Sequence, residues 1–527
     1  MPLMNMKYLH LLCTLLFGVA VLLFFGLAYP HHLHYQEQYQ LFLFDSSYVW
    51  ETVRLPGGVA DLLGRFCTQF FLFAWVGAAI IAVLLSAVQL LTFRLISHSR
   101  PLREGSKWEA KRQQAEPCAD AGTALYGLSF VPSFLLWLFL LDENALLGGV
   151  WAVLLTLLAA CGIGKMRDGR ARRLLLVAAI PVLYWMVGPV CVALVAVPQT
   201  LKASPTIWLA GVVALVAVIP VLLMAYIPVP AGRLWTGIHY HRYPTVIPVL
   251  LWAAALSVLV IALIARVCHH YLLSRPQRLI SGILCALCLV GGFCAIWKSS
   301  NFKAEKVMQY DFMARHQQWN RILETINAEK PNNQIGVTVQ NLALAMHGLL
   351  AGHLAEYNQN GLAGLLPDVE RDATSPLPTA EAFYQLGMVY VAQRTVFEAQ
   401  EAILDFQKSG RCYRRLAQTN LILGNYEVAR KYLAALQKTL FYRGWANETL
   451  PLLGDEEAIA RHPEYGRLRQ WACKEDFYFS DHVTPEMLEA LFFSNTDNHL
   501  AYQCLVAYYM LTGDRGRYAK LLLTIGH

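Results

Sequence analysis

The sequence predicts an all-α protein in two parts: a polytopic transmembrane helical bundle of about eight spans over residues 1–298, then a soluble α-helical repeat domain over residues 299–527. Three observations predict it. Of 527 residues, 56% are hydrophobic and only 15% are charged, with a mean hydropathy of +0.39, whereas soluble domains carry about 25% charged residues. Apolar runs of near-membrane length recur before Lys298 and stop after it. The charge divides at the same place: 21 Lys/Arg against 11 Asp/Glu in 1–298, and 22 against 25 in 299–527.

A hydrocarbon core of ~30 Å takes roughly 20 helical residues to cross. Runs that meet or approach this length lie at 8–28, 69–93, 121–141, 145–163, 174–195, 207–226, 245–265 and 279–297. Lipid offers no partner to a bare peptide group, so each run is expected to be helical. The first run follows Lys7 like a signal peptide, but its apolar core is too long and Gly26-Leu27-Ala28 is a poor cleavage site. It reads as a retained span.

Positive charge sets the orientation, because Lys and Arg collect on the cytoplasmic side. Arg94, Arg100, Arg103, Lys107, Lys111 and Arg112 follow the second run, and Lys165, Arg167, Arg170, Arg172 and Arg173 follow the fourth. Both loops are expected inside, with the N-terminus. Asp142-Glu143-Asn144, between the third and fourth runs, belongs outside. Eight alternating spans, with Lys298, Lys303 and Lys306 after the last, favour a cytoplasmic C-terminal domain. The same alternation puts Arg266, Arg275 and Arg278 outside and Arg233 and Arg242 inside, against the charge rule for the first three.

The first external loop, 29–68, is rich in aromatics interrupted by polar groups, the mark of an interfacial segment. Pro56-Gly57-Gly58 signals a turn, and Val59–Phe71 reads as an amphipathic helix leading into the second span. Asp45 and Glu51 are the candidate catalytic residues, since carboxylates beside a bilayer tend to mark pathways or sites. The layout is similar to that of multi-span glycosyltransferases that use lipid-linked sugars, which carry acids in the same loop, although the acidic pair of those enzymes is missing here. Solvated carboxylates paired with Arg54 or Arg65 are the plainer explanation.

Three histidine groups stand out: His31, His32 and His34; His239 and His241; and His269-His270. A metal centre needs three or four converging ligands, so no metal is assigned, and no cofactor either. Cys285 and Cys288 form a C-x-x-C within an apolar run, where helix packing by small residues, with Gly291 and Gly292, explains them. Cys412, Cys473 and Cys504 in the second half are too scattered for a disulfide framework. No charge sits deep within a run, which counts against an ion-coupled transporter. Phosphate-binding, dinucleotide, zinc-protease and serine-hydrolase motifs are absent from the sequence. The basic charge belongs to membrane-flanking loops, so no nucleic acid is expected.

From Asn301 onward the apolar residues recur at helical period between Gly, Asn and Pro. Phe383 to Tyr390, with its Leu386-Gly387 pair, then Ala399 and Ile403, resembles a tetratricopeptide repeat. Leu416-Ala417 followed by Leu423-Gly424-Asn425-Tyr426-Glu427-Val428-Ala429-Arg430 resembles the turn and second helix of another. Leu511-Thr512-Gly513-Asp514 suggests a further unit, and weaker ones centre on Trp319–Leu323 and Leu342–Gly352. Small residues at Gly387, Ala399, Ala417 and Ala429 are expected where paired helices close up. Residues 353–378 and 441–485 fit no unit. Repeats of this kind stack into a solenoid and bind proteins in its groove.

Tyr35, Gln38, Leu41 to Phe44 and Pro56 to Gly58 carry a resemblance to an uncharacterised, domain-of-unknown-function family of bacterial multi-span membrane proteins with a tetratricopeptide-like C-terminal half. The resemblance implies a bacterial inner membrane and brings no activity. The expected role is a membrane-anchored scaffold, with the lipid bilayer and protein partners bound through 299–527. The alternative is an enzyme or transporter for a lipid-linked substrate at the first external loop.

Overall fold

The computed structural model describes residues 6–97, 121–166, 170–196, 205–268, 271, 276–368, 375–405, 407–473 and 483–525. Among them there is no strand; the one β-type pairing is an isolated bridge between Ala145 and His241. Arg100, Arg103, Lys107, Lys111, Arg112, Arg167, His269, His270 and Arg275 lie outside the described residues. The chain forms two compact units. One is Met1–Gln36 with Asp45–Asn301, and the other is Glu37–Phe44 with Phe302–His527.

The first unit contains α1 (Met6–Leu23), extended by a π-helical turn to Ala28, α2 (Pro30–Glu37, whose last residue belongs to the second unit), α3 (Ser46–Val53), α4 (Gly58–Thr68) and α5 (Ala74–Ser97). Next come α6 (Phe130–Phe139), α7 (Leu147–Gly164), α8 (Arg170–Val187), α9 (Pro205–Leu223), α10 (Val249–Val267) and α11 (Gln277–Ser299). Among the described residues five helices are long and apolar enough to cross a membrane: Tyr8–Ala28, α5, α7, α10 and α11. The other three apolar runs take different forms. Run 121–141 is broken into short helical turns ahead of α6, and the apolar stretch of α9 is only Ala210–Leu223. Run 174–195 breaks at Gly188, whose φ of 82° a side chain rarely tolerates, into α8 and a 3-10 helix, Pro189–Ala196.

Aromatic packing fills the bundle. Phe17, Phe134 and Trp137 meet at ring distances of 5.1–5.9 Å. A polar thread runs through it with its hydrogen bonds made: Thr14 donates to Gln89, and Gln89 donates to Ser129 at 2.7 Å. Such a network is tolerable in an apolar core because each member finds a partner. At Gly127, an added methyl would fall 2.4 Å from the Cys285 nitrogen. Cys285 is therefore a packing residue against a close backbone, and both it and Cys288 are free thiols.

The second unit stacks helical hairpins. α12 (Phe302–Arg315) and α13 (Trp319–Glu329) pack on α14 (Gln334–Met346). α15 (Pro376–Leu386) pairs with α16 (Val389–Glu401), and α17 (Gly410–Ile422) pairs with α18 (Tyr426–Gln437). α19 (Pro485–Ser494), α20 (His499–Thr512) and α21 (Arg515–Ile525) follow after shorter helices. Gly387, Gly424 and Gly513 sit at φ of 96°, 83° and 71° in the turns between paired helices. Gly387 thus ends α15, and the Leu-Gly pair is a turn, not part of a helix interior; glycine is favoured there because it alone enters the left-handed region without strain. Ala399, Ala417 and Ala429 are fully buried where hairpin helices meet.

Candidate functional site

Two groups of buried charge stand out, one in each unit. In the first, α4 begins after Gly57, at φ 85°, in the Pro56-Gly57-Gly58 turn. The helix crosses α7 so closely that a methyl on Gly64 would lie 2.4 Å from the Gly148 nitrogen. This contact buries Asp61 and Arg65, one helical turn apart, with side chains 2% and 8% exposed. They form an ion pair at 2.6 Å, and His239 Nδ1 stands 3.3 Å from the same Asp61 oxygen. Arg65 also donates to the Tyr48 hydroxyl at 3.4 Å. Burial alone would lower the Arg65 pKa; Asp61 and Tyr48 outweigh it and hold the guanidinium above its ordinary value.

A second histidine–aspartate pair adjoins this one. Leu146 N–H donates to the Tyr240 carbonyl and Arg242 N–H to the Asn144 carbonyl, so residues 239–242 run beside 144–146. His241 Nε2 then lies 3.1 Å from Asp142, and Gln36 donates to the Ala145 carbonyl at 3.2 Å. Burial raises the Asp142 pKa, but the His241 bond and the Asn144 amide bring it below the usual carboxylate value. His32 is buried and its pKa falls to about 4, so it is neutral at neutral pH.

In the second unit the charge surrounds a piece of the first loop. After α2 the chain runs without regular structure from Gln38 to Phe44. Leu41 N–H donates to the Lys408 carbonyl at 3.0 Å, and Phe44 N–H to the Lys438 carbonyl at 2.7 Å. Arg411, from the first turn of α17, donates to Gln38 at 3.0 Å and grips Asp311 of α12 through two bonds of 2.7 and 2.8 Å. Tyr442 donates to Glu37 at 2.8 Å. Tyr39, Leu41, Phe42 and Leu43 are all buried. Burial raises the Glu37 pKa in spite of Arg315 and Tyr442, and burial together with Arg411 lowers that of Arg315.

The sequence-predicted acids lie elsewhere. Asp45 is half-buried at the N-cap of α3, and Glu51 is exposed on that helix. Arg65 is taken by Asp61 instead of either one. Asp61 does not stand out in the sequence, because it lies inside an amphipathic helix that leads into a span; its only signal there is the one-turn spacing to Arg65. His34 Nδ1 stands 3.1 Å from the Phe71 carbonyl. Among the described residues no three His, Cys, Asp or Glu side chains are grouped to hold a metal.

Fold and charge clusters together define a class: an all-helical protein with membrane-length apolar helices and a second unit of stacked helical hairpins. The chain belongs to the family of unknown function DUF6057, whose model matches residues 5–525. No curated protein and no solved structure matches it.

Proposed function

We propose that this protein is a membrane-anchored scaffold, in which a helical membrane bundle presents a tetratricopeptide-like domain to protein partners. The observation that carries this reading is the seating of Glu37–Phe44 in the second unit. Two backbone hydrogen bonds, a buried arginine and a half-buried tyrosine hold an irregular peptide segment among helical hairpins. Stacked hairpins commonly take extended peptides in this manner. The turn glycines and buried alanines support the repeat resemblance, and the five membrane-length apolar helices support a membrane location, for which a bacterial inner membrane is our reading. The lipid bilayer contacts the apolar outer faces of the first unit, where Leu27, Val83, Leu263 and Leu287 are exposed.

Photo-crosslinking residues at the exposed positions Phe397, Val428 and Phe493 of the full-length chain test the reading in native membranes. The expected result is one discrete adduct, with the same protein identified from at least two positions. Absence of adducts at all three overturns it.

The buried Asp61–Arg65–His239 group favours a second reading, an enzyme or transporter for a lipid-linked substrate. Buried charge is costly beside a bilayer and is retained at sites of function or specific structure. Asp45 and Glu51 are the outlying acids of such a site, and Asp61 is the buried one. Full function in both Asp45→Asn and Asp61→Asn variants would remove this reading.

A further inference from the structure

We infer that the second unit faces the non-cytoplasmic side of the membrane, so that the partner it takes is an extracytoplasmic protein. The partner class rests on the scaffold reading; the sidedness does not. Its basis is the direction of the first and last membrane-length helices. Near the start of α1, His10 Nε2 lies 3.4 Å from Ser281 Oγ, near the start of α11. Beyond the other ends, Asn301 N–H donates to the Tyr29 hydroxyl at 2.9 Å. The two helices therefore run parallel, and the chain leaves α11 on the side where the first loop begins. Independently, Glu37–Phe44 of that loop is an integral part of the second unit. A unit built from both segments needs both on one side.

Charge identifies the side. The His10 ring lies 5.5 Å from Phe93, at the end of α5, and the Cys161 thiol near the end of α7 reaches the Leu91 carbonyl. Ile96, Ala265 and Ile280 share one apolar cluster, which joins the end of α10 and the start of α11 to the same face. Among the described residues these ends carry Arg94, Lys165, Arg170, Arg172, Arg266 and Arg278. The three basic ends thus share the N-terminal side, the cytoplasmic one by the positive-inside rule. The opposite face holds Asp61, Asp142 and Glu143, and two of its arginines, Arg65 and Arg242, are hydrogen-bonded to neighbours there.

Eight alternating spans lead to the opposite answer, and the break at Gly188 explains why. Val187 lies on the first-loop face, where its carbonyl accepts from Tyr240 and Trp185 accepts from Gly57 N–H. Nine residues later the Ala196 carbonyl accepts from Arg266, on the basic face. One apolar run turns back on itself, the parity changes by one, and Arg266 to Arg278 move inside with the other basic segments. Arg233 and Arg242 move outside.

The test is thiol labelling of the full-length chain in right-side-out and inside-out vesicles with a membrane-impermeant maleimide. Glu457→Cys reports the second unit, where the native side chain is 79% exposed, and Ala171→Cys reports the exposed start of α8. The parent chain supplies the blank. Expected is labelling of Glu457→Cys only in right-side-out vesicles and of Ala171→Cys only in inside-out ones. The reverse pattern, or labelling of both from one face, overturns the inference. An epitope after His527 gives a second reading if labelling is weak, since protease outside right-side-out vesicles is expected to remove it and full protection overturns the inference. Sidedness that fails beside a crosslinked partner leaves the scaffold standing; correct sidedness without a partner sinks only the scaffold.

Discussion

Arg411 donates a hydrogen bond to Gln38 across 373 positions of sequence while holding Asp311 through both of its terminal nitrogens. One guanidinium thereby joins the first loop to two helices of the second unit. Its burial makes the loss of either partner costly.

Removing Arg411 is expected to be severe. Arg411→Met leaves the Asp311 carboxylate buried without its partner, a loss on the order of 3–5 kcal/mol. The unfolding midpoint of the second unit, followed by tryptophan fluorescence in detergent, should fall sharply. Replacing both residues, Arg411→Met with Asp311→Leu, should recover much of it. Equal loss in the single and double variants would show that the ion pair is not the source.

Glu37 should confer a pH dependence of unusual sign. Its folded pKa is raised above its ordinary value of 4.5 by burial, so the fold prefers the protonated acid. The stabilising preference is complete below 4.5 and is lost as pH rises through the raised folded value. Glu37→Gln keeps an acceptor for Tyr442 and does not titrate. Melting temperatures of variant and parent should coincide at low pH and diverge in favour of Glu37→Gln as pH rises; parallel curves would contradict this.

The Asp61–Arg65 pair separates structure from chemistry. Asp61→Ala strands a buried guanidinium and should cost about 3–5 kcal/mol, seen as reduced yield of folded protein in membranes. The apolar pair Asp61→Leu with Arg65→Met should restore the yield. If that double variant also complements a deletion strain, the pair is structural; if it folds but fails to complement, the charges serve function.

Backbone contacts make two glycines hard to replace. Gly64→Ala drives a methyl into the Gly148 backbone at 2.4 Å and should cost about 1–3 kcal/mol through overpacking. Gly188→Ala adds a clash with the Tyr240 hydroxyl at 2.6 Å to an unfavourable φ. Both should lower thermal stability of the purified protein, while Gly162→Ala, inside α7 with open space around it, should leave it equal or slightly raised.

Much of the architecture was legible in the order of residues. Hydropathy marks the five membrane-length helices up to Ser299 but not the breaks in the other three apolar runs, and glycines at 387, 424 and 513 mark turns between later helices. The candidate site was less legible. Asp61 and Arg65 stood at helical spacing, but nothing local distinguishes a solvated pair from a buried one, because burial comes from α7 pressing on Gly64. His239 and His241 were visible as a pair without their aspartates.

Composition and periodicity decide which segments are helical and which seek lipid, since each depends on neighbours a few residues away. Pairings between distant segments obey no such local rule. That Gly188 turns an apolar run back, that α11 runs parallel to α1, and that Glu37–Phe44 lies among the later hairpins all follow from close packing of residues far apart in the chain. The energy of those contacts exists only once the surfaces have met, so tertiary structure alone decided them.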